Sequence, residues 1–252
     1  MLIDERYDEI LKILDEEQYI TAQELAKRLY VSLPTIRRDL AELDQRNLIV
    51  RSHGGAKKVH DEHTVAPLNY RKTVKAQEKR ALCRAAAELI QDNEIVFIDS
   101  STTTLQMGEF IDPKKQVTVI TNGITLATRL VQRGIKTYLT GGEIFPNSLA
   151  HFGSFAEEFI QRFNIDTFFF SCHGVNEKGM LTDPSLPETQ IRKVAIHQSR
   201  KTVFLCDETK FSLSTPYNLV PIQTLDCVIT NAPRAREYFR EKDMERVILV
   251  KN

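Results

Sequence analysis

A small helical domain followed by a doubly wound, mostly parallel α/β domain is the architecture this sequence predicts, and three observations predict it. The first sixty residues carry helical periodicity punctuated by capping signals and close on a Gly-Gly hairpin. Residues 59–74 have mixed charge and no sustained apolar face, as a linker does. From residue 75 onward short apolar runs alternate with amphipathic ones, the pattern of strands alternating with helices. The expected boundaries are therefore 1–58, a linker at 59–74, and 75–252.

In the first region Ile3, Tyr7, Ile10 and Leu14 fall on one helical face. "TAQE" at Thr21–Glu24 is a capping box that opens a short helix with Ala22, Leu25, Ala26 and Leu29 inward. Ser32 can cap a third helix, where Pro34 is tolerated because the N–H groups of a first turn have no intrahelical partner. At about 100° per residue, Leu33, Ile36, Leu40 and Leu43 cluster in one apolar arc, and Arg38 projects opposite with Pro34, Thr35 and Gln45 on its side. Arg37 lies on the flank. Helix, helix, short turn, helix is the outline of a DNA reader, in which Arg38 is placed for base edges and Arg37 for phosphate. "LIVRSHGGAKKV" then gives two extended runs around Gly54 and Gly55, a basic wing whose Arg51, His53, Lys57 and Lys58 would neutralise phosphates beside the groove.

Charge supports that reading locally and not globally. The 252 residues carry 34 basic and 34 acidic side chains, which argues against a chain coated in nucleic acid. From Lys27 to Lys58, however, eight basic residues face three acids, Asp39, Glu42 and Asp44. The acidic start "MLIDERYDEI" lacks the features of a signal peptide, and no run approaches the length of a membrane span, so a cytoplasmic protein with no membrane partner is expected. Cys83, Cys172, Cys206 and Cys227 form no C-x-x-C pair, so they read as buried thiols, with no metal site expected.

In the second region a helix is expected over about Lys75–Ile90, with Leu82, Ala86 and Leu89 inward. Seven strands come after it as "EIVFID", "VTVIT", "KTYLTGG", "DTFFFSC", "TVFLCD", "DCVIT" and "RVILV", with helices such as "SFAEEFIQRF" and "AREYFREK" between them. Ligands of such sheets sit beyond the carboxyl ends of the strands. The residues placed there are Asp99 with the hydroxyl run Ser100, Ser101, Thr102, Thr103 and Thr104; Thr121, Asn122 and Gly123; Gly141 and Gly142; Cys172, His173 and Gly174; and Asp207 with Lys210. Hydroxyls, glycines, a lysine and the positive end of a following helix suit a phosphate, whereas Asp99, Asn122 and Asp207 suit sugar hydroxyl groups. His173 serves equally as a satisfied histidine at a strand end.

"VSLPTIRRDLAELDQRNLIVRSHGGA" resembles the winged helix-turn-helix signature of the DeoR family of bacterial transcriptional regulators, which reads VS-x-x-TIRRDL followed by R-x-HGG. By position, the resemblance implies DNA contact by Ser32, Thr35, Arg37 and Arg38, with the wing at Arg51 to Lys58. It continues through "EKRALCRAAAELI", "IDSSTT", "TNG", "TGG", "SCHGVNEKGMLTD", "ETQIRK" and "DETKF", and so covers nearly the whole chain. It implies a sensor domain with the sugar-phosphate isomerase and CoA-transferase fold and a phosphorylated sugar or related metabolite as effector. Asp99, Ser101, Thr102 and Thr103 match the phosphate loop, and Asp207 and Lys210 match D-x-[ST]-K-F. Ser100 or Ser101 stands where many relatives have glycine, which permits a closer backbone approach.

The expectation is a sequence-specific regulator of transcription, a repressor of a carbohydrate-utilisation operon that binds operator DNA and is modulated by a phosphorylated sugar, with no cofactor. Two half-sites call for a homodimer or higher homo-oligomer. The alternative is a sugar-phosphate isomerase-like enzyme with an attached DNA-binding domain. Isomerisation needs a positioned acid and base, and where the superfamily enzymes carry D-G-A-D-E this chain has "SCHGVNE", with Glu177 in a turn. A DNA-packaging protein would explain neither the hydroxyl run nor the neutral charge.

Overall fold

The computed structural model describes residues 2–17, 19–45, 48–52, 54–58 and 68–251, in two units that divide between Tyr70 and Arg71. The first unit runs α1 (Ile3–Glu17), β1 (Tyr19–Thr21), α2 (Ala22–Arg28), α3 (Leu33–Gln45), β2 (Ile49–Ser52) and β3 (Gly55–Lys58). Its core joins Ile10 and Leu14 of α1, Leu25 of α2, and Ile36, Leu40 and Leu43 of α3 to Ile20, Ile49 and Ala56 of the sheet. Thr21 caps α2 by accepting from Glu24 N at 3.1 Å. The Glu24 carboxylate accepts from Arg28 Nε at 2.9 Å, so the two halves of the expected capping box serve different partners.

Two features of this unit differ from the sequence reading. Ile3 is exposed, and its place on the inner face of α1 is taken by Arg6, which is buried against Asp39 of α3 through Nε–Oδ2 at 2.5 Å and Nη2–Oδ1 at 2.9 Å. The wing has three strands, in the order β1-β3-β2. Its glycines do separate work. Gly54 holds φ at +83°, which the turn requires, while a Cβ on Gly55 would lie 2.2 Å from the Ile20 carbonyl and push β1 off β3.

The segment read as linker ends in a short helix, α4 (Leu68–Thr73). The second unit continues with α5 (Ala76–Glu88), β4 (Ile95–Ile98), β5 (Thr118–Thr121), α6 (Ile124–Gln132), β6 (Lys136–Leu139), β7 (Glu143–Phe145), β8 (Ala150–Phe152), α7 (Ser154–Gln161) and β9 (Ile165–Phe170). It ends with β10 (Gly174–Val175), β11 (Met180–Asp183), α8 (Leu186–Gln198), β12 (Ser199–Cys206), β13 (Tyr217–Pro221), β14 (Cys227–Thr230) and β15 (Val247–Leu249). The seven expected strands form one wholly parallel sheet in the order β15-β14-β12-β9-β4-β5-β6. The chain enters at β4, winds outward to β6, returns to β9 on the other side of β4 and winds outward again. The order reverses between β4 and β9, which is where a doubly wound sheet opens a crevice.

Alternate strand residues feed opposite faces, so Val96 and Ile98 pack under α5 and α6 while Phe97 joins Phe168, Phe170 and Phe204 under α7 and α8. Two small antiparallel sheets, β7-β8 and β10-β11-β13, were not expected, because strands of two to five residues carry too little alternation to register. "AREYFREK" forms no α-helix. It is divided between 3-10 turns at Pro233–Tyr238 and Glu241–Arg246, because Phe239 between them turns inward in extended conformation to join the core. All four cysteines are buried free thiols, and burial pushes Cys206 up to about 12 and Cys227 to about 11, which keeps them protonated and inert. Among the described residues no helix is long and apolar enough to cross a membrane.

Candidate functional site

Each unit gathers one set of the expected site residues. In the first, Ser32 caps α3, its hydroxyl 2.7 Å from Thr35 Oγ1 and accepting from Thr35 N at 3.3 Å. Ile36, Leu40 and Leu43 are buried, whereas Arg37 and Arg38 are exposed, so the helix presents two unburied guanidinium groups away from its core. Arg37 also lines an open recess of about 310 Å³ shared with Thr21, Gln23, Arg51 and Gly54. Arg51 is held in the wing by its N–H, which donates to Asp44 Oδ1 at 3.0 Å, and Lys57 is exposed on β3. Basic groups from α3 and the wing thus border one concavity. His53 and the side chain of Lys58 lie outside the described residues.

In the second unit the expected residues converge at the carboxyl ends of β4, β5, β9 and β12, but their chemistry is not what the hydroxyl run suggests. Ser101 Oγ lies 2.8 Å from Thr104 Oγ1 and accepts from Thr104 N at 3.2 Å, while the Thr104 hydroxyl donates to Asp99 Oδ1 at 2.7 Å. Thr103 is buried, its carbonyl accepting from the Cys83 thiol at 2.7 Å. The run leads into a six-residue 3-10 helix, Thr104–Glu109, too short for an appreciable dipole. It is therefore largely a buried turn that satisfies itself. Two of its hydroxyls face other partners: Thr102 Oγ1 accepts from Lys79 Nζ at 3.2 Å, and Ser100 Oγ accepts from Asn122 Nδ2 at 3.2 Å.

Asp99 is likewise committed. Its Oδ2 accepts from Arg192 Nε at 3.0 Å and from Ser171 N at 3.3 Å across the β4/β9 crevice. Arg192, fully buried on α8, also reaches Asp183 Oδ2 at 2.8 Å and Glu188 Oε2 at 3.3 Å. Burial opposes the charge on Arg192, but the three carboxylates outweigh it and raise its pKa. Burial pushes Asp183 up to about 6, against the pull of Arg192 and the His173 N–H, which donates to Asp183 Oδ1 at 2.9 Å. Asp207 caps the turn Glu208–Lys210, accepting from Thr209 N at 3.0 Å, and so places Lys210 beside the strand ends. His173 is exposed and Gly174 buried in β10. Gly141 and Gly142 are exposed, and Gly142, at φ +119°, makes room for the Phe152 carbonyl.

Three cationic contributors to this end escaped the sequence reading. Lys79 of α5 is only 5% exposed, and the two atoms that accept from its Nζ, Arg71 O at 2.5 Å and Thr102 Oγ1 at 3.2 Å, are both neutral. Burial lowers its pKa from 10.5 to about 8, and Lys210 and Arg71 push the same way against Asp207. Arg71 donates to Asn147 O at 3.2 Å, and burial lowers its pKa too, against the field of Glu188, Asp99 and Asp183. With Arg192 these place the cationic chemistry on α4, α5 and α8, not in the loop. One signal was available: Lys79 falls on the stripe of Leu82, Cys83 and Ala86, and Arg192 on that of Ile191 and Ala195, and a charge on an apolar stripe marks a buried ion. Among the described residues no group of three or more His, Cys, Asp or Glu side chains is arranged to hold a metal ion.

Comparison with known proteins agrees with both units. Residues 6–62 match the model of the DeoR-like helix-turn-helix domain, and residues 74–232 match that of the DeoR C terminal sensor domain. The chain is 31% identical over 228 residues to the HTH-type transcriptional regulator GolR of Listeria innocua, covering 90% of each chain. It is 30% identical over 230 residues to the glycerol-3-phosphate regulon repressor of Escherichia coli, covering 91% of each. Against the HTH-type transcriptional regulator GlpR of Haloferax volcanii the identity is 29% over 231 residues, covering 92% of this chain and 91% of the relative.

Proposed function

Because the chain belongs to the DeoR family of helix-turn-helix transcriptional regulators, we propose that it is a repressor whose α3 and wing hold operator DNA and whose parallel sheet binds a phosphorylated sugar metabolite that changes the affinity for DNA. It is a regulator and not an enzyme, as its relatives are. One relative is named for repression of the glycerol-3-phosphate regulon, which supports a phosphorylated effector here.

The observation that carries the effector reading is Lys79. A buried ammonium held only by neutral oxygens, between Lys210 and Arg71, is short of negative charge. A phosphate monoester supplies it. Lys79, Arg71 and Lys210 then seat the phosphate with the Thr102 hydroxyl, and Asp207 orients Lys210. The Arg192 cluster positions Asp99 and the β9 end behind them. On the DNA side, Arg38 reads base edges, Ser32, Thr35, Arg37 and Gln45 border the groove, and Arg51, His53, Lys57 and Lys58 neutralise phosphates. Two half-sites require two copies, so the working form is a homodimer or a higher oligomer, and the place of work is the cytoplasm.

Fluorescence anisotropy with DNA from upstream of its own gene, titrated with and without a panel of sugar phosphates, tests the proposal. One member of the panel is expected to weaken DNA binding by about 5- to 150-fold, and DNA must weaken that ligand's binding by the same factor. A panel in which no phosphate binds or alters DNA affinity refutes it.

A further inference from the structure

An acid on a DNA-reading helix repels phosphate unless its charge is taken up inside the protein. Two of the three acids that stand among the basic residues from Lys27 to Lys58 are engaged in this way. Asp44, on the last turn of α3, accepts from Arg51 N at 3.0 Å and so ties the helix to the wing. Asp39, only 3% exposed, accepts from Arg6 Nε at 2.5 Å and from Arg6 Nη2 at 2.9 Å, and so ties the helix to α1. Asp39 comes directly after Arg38, which is exposed, and about 100° of helical turn separates the two. Whatever fixes the direction of Asp39 fixes the direction in which Arg38 leaves the helix.

Stability does not account for the pair. The core of this unit is otherwise aliphatic, and exchange of a buried ion pair for apolar side chains of similar volume is often neutral or stabilising. What the pair supplies is direction. Aliphatic side chains pack two helices together over a range of orientations, with about 15–20° of scatter in the crossing angle. Two parallel N–H···O bonds instead hold the guanidinium and the carboxylate in one plane and one register. A roll of α3 by about 10° carries a group about 6 Å from its axis sideways by about 1 Å, which is enough to break a hydrogen bond. We infer that Arg6 and Asp39 are positioning residues for operator recognition: their paired hydrogen bonds set the rotation of α3 against α1 and so aim Arg38 at a base edge that it otherwise misses. This rests on the reading of Arg38 as a base contact and adds to it two residues that are themselves buried away from DNA.

The test takes the full chain and two probes, the tightest site that it selects from a random DNA pool and a scrambled duplex of the same length and composition. Anisotropy titrations give the ratio of the two affinities. Arg38→Ala is expected to lower that ratio about 5- to 150-fold per half-site. Arg6→Met combined with Asp39→Leu is expected to lower it at least about 5-fold, while the melt stays near that of the unaltered chain and affinity for the scrambled duplex changes less than about 2-fold. Adding Arg38→Ala to that variant should then lower the ratio little further, as a double-mutant cycle requires of residues that act through one another. If the double variant fails to fold, Arg6→Lys, which keeps the charge and loses the paired geometry, decides in its place, with an expected loss of about 3-fold in the ratio. A folded double variant with an unchanged ratio, or with equal loss on both DNAs, overturns the positioning role and leaves the reading of Arg38 standing. An unchanged ratio in Arg38→Ala, or a pool from which no site emerges, removes both.

Discussion

Each unit of this protein buries an arginine among carboxylates, and the two clusters are built differently. In the N-terminal unit Arg6 and Asp39 form a closed pair, one cation to one anion with two hydrogen bonds. In the C-terminal unit Arg192 faces Asp99, Asp183 and Glu188, an excess of carboxylate beside which burial raises Asp183 to about 6. Elsewhere at the same end of the sheet, Lys79 is a cation hydrogen-bonded to two neutral oxygens and to no carboxylate. A balanced pair ties two helices together and asks for nothing further. The sensor unit's charges are unbalanced, with three carboxylates on Arg192 and only neutral oxygens bonded to Lys79, and such a set holds a site open to a charged visitor, whereas the DNA-binding unit's pair is matched.

The sharpest way to break this comparison is to remove the central cation of each cluster. Arg192→Met leaves three buried carboxylates unpaired and should cost at least about 3–5 kcal/mol, seen as loss of the sensor unit's cooperative melt or as insoluble protein. Arg6→Met should cost about 3 kcal/mol, the low end of that range, because it leaves one buried carboxylate unpaired where Arg192→Met leaves three. The double variant Arg6→Met with Asp39→Leu should recover most of that loss in the same melts. No single carboxylate substitution should rescue Arg192→Met, and a rescue by one would show that cluster to be a simple pair as well.

Next in size is the effector seat. Lys79→Met removes a hydrogen bond to a charged oxygen and should weaken the best sugar phosphate by about 1.5–3 kcal/mol in calorimetry. The pH dependence has a definite sign. Lys79, with its pKa depressed to about 8, is charged below that value and neutral above it, so affinity should fall as pH rises through about 8. Below about pH 6 the phosphate loses its second charge, and affinity should fall there too. A flat profile between about pH 6 and about pH 9.5 would remove Lys79 from the seat.

The smaller effects lie in the DNA-binding unit. Arg38→Ala should cost about 1–3 kcal/mol per half-site on operator DNA and little on random DNA, measured by anisotropy. Lys57→Ala should weaken both alike and reduce the slope of log K against log salt by about one. Equal loss on both DNAs for Arg38→Ala would assign it to the backbone with Lys57.

The sequence by itself determined the order of the main elements, because periodicity and capping are local: the three helices of the first unit, the Gly54–Gly55 turn and all seven strands of the parallel sheet are legible from residues close together in the chain. It also determined which residues stand at the strand ends, since each comes directly after an apolar run. What those residues do was decided by partners far away in the chain. Asp99 meets Arg192 across 93 positions, Asn122 meets His151 across 29, and Thr102 meets Lys79 across 23. Five hydroxyls in a row look like a ligand loop until Ser101 and Thr104 are seen to satisfy each other, and Lys79 looks like a surface lysine until its stripe is folded against the sheet. Burial, which sets the strength of each charge and the cost of each unpaired atom, is a property of the packed chain, and only the tertiary structure decides it.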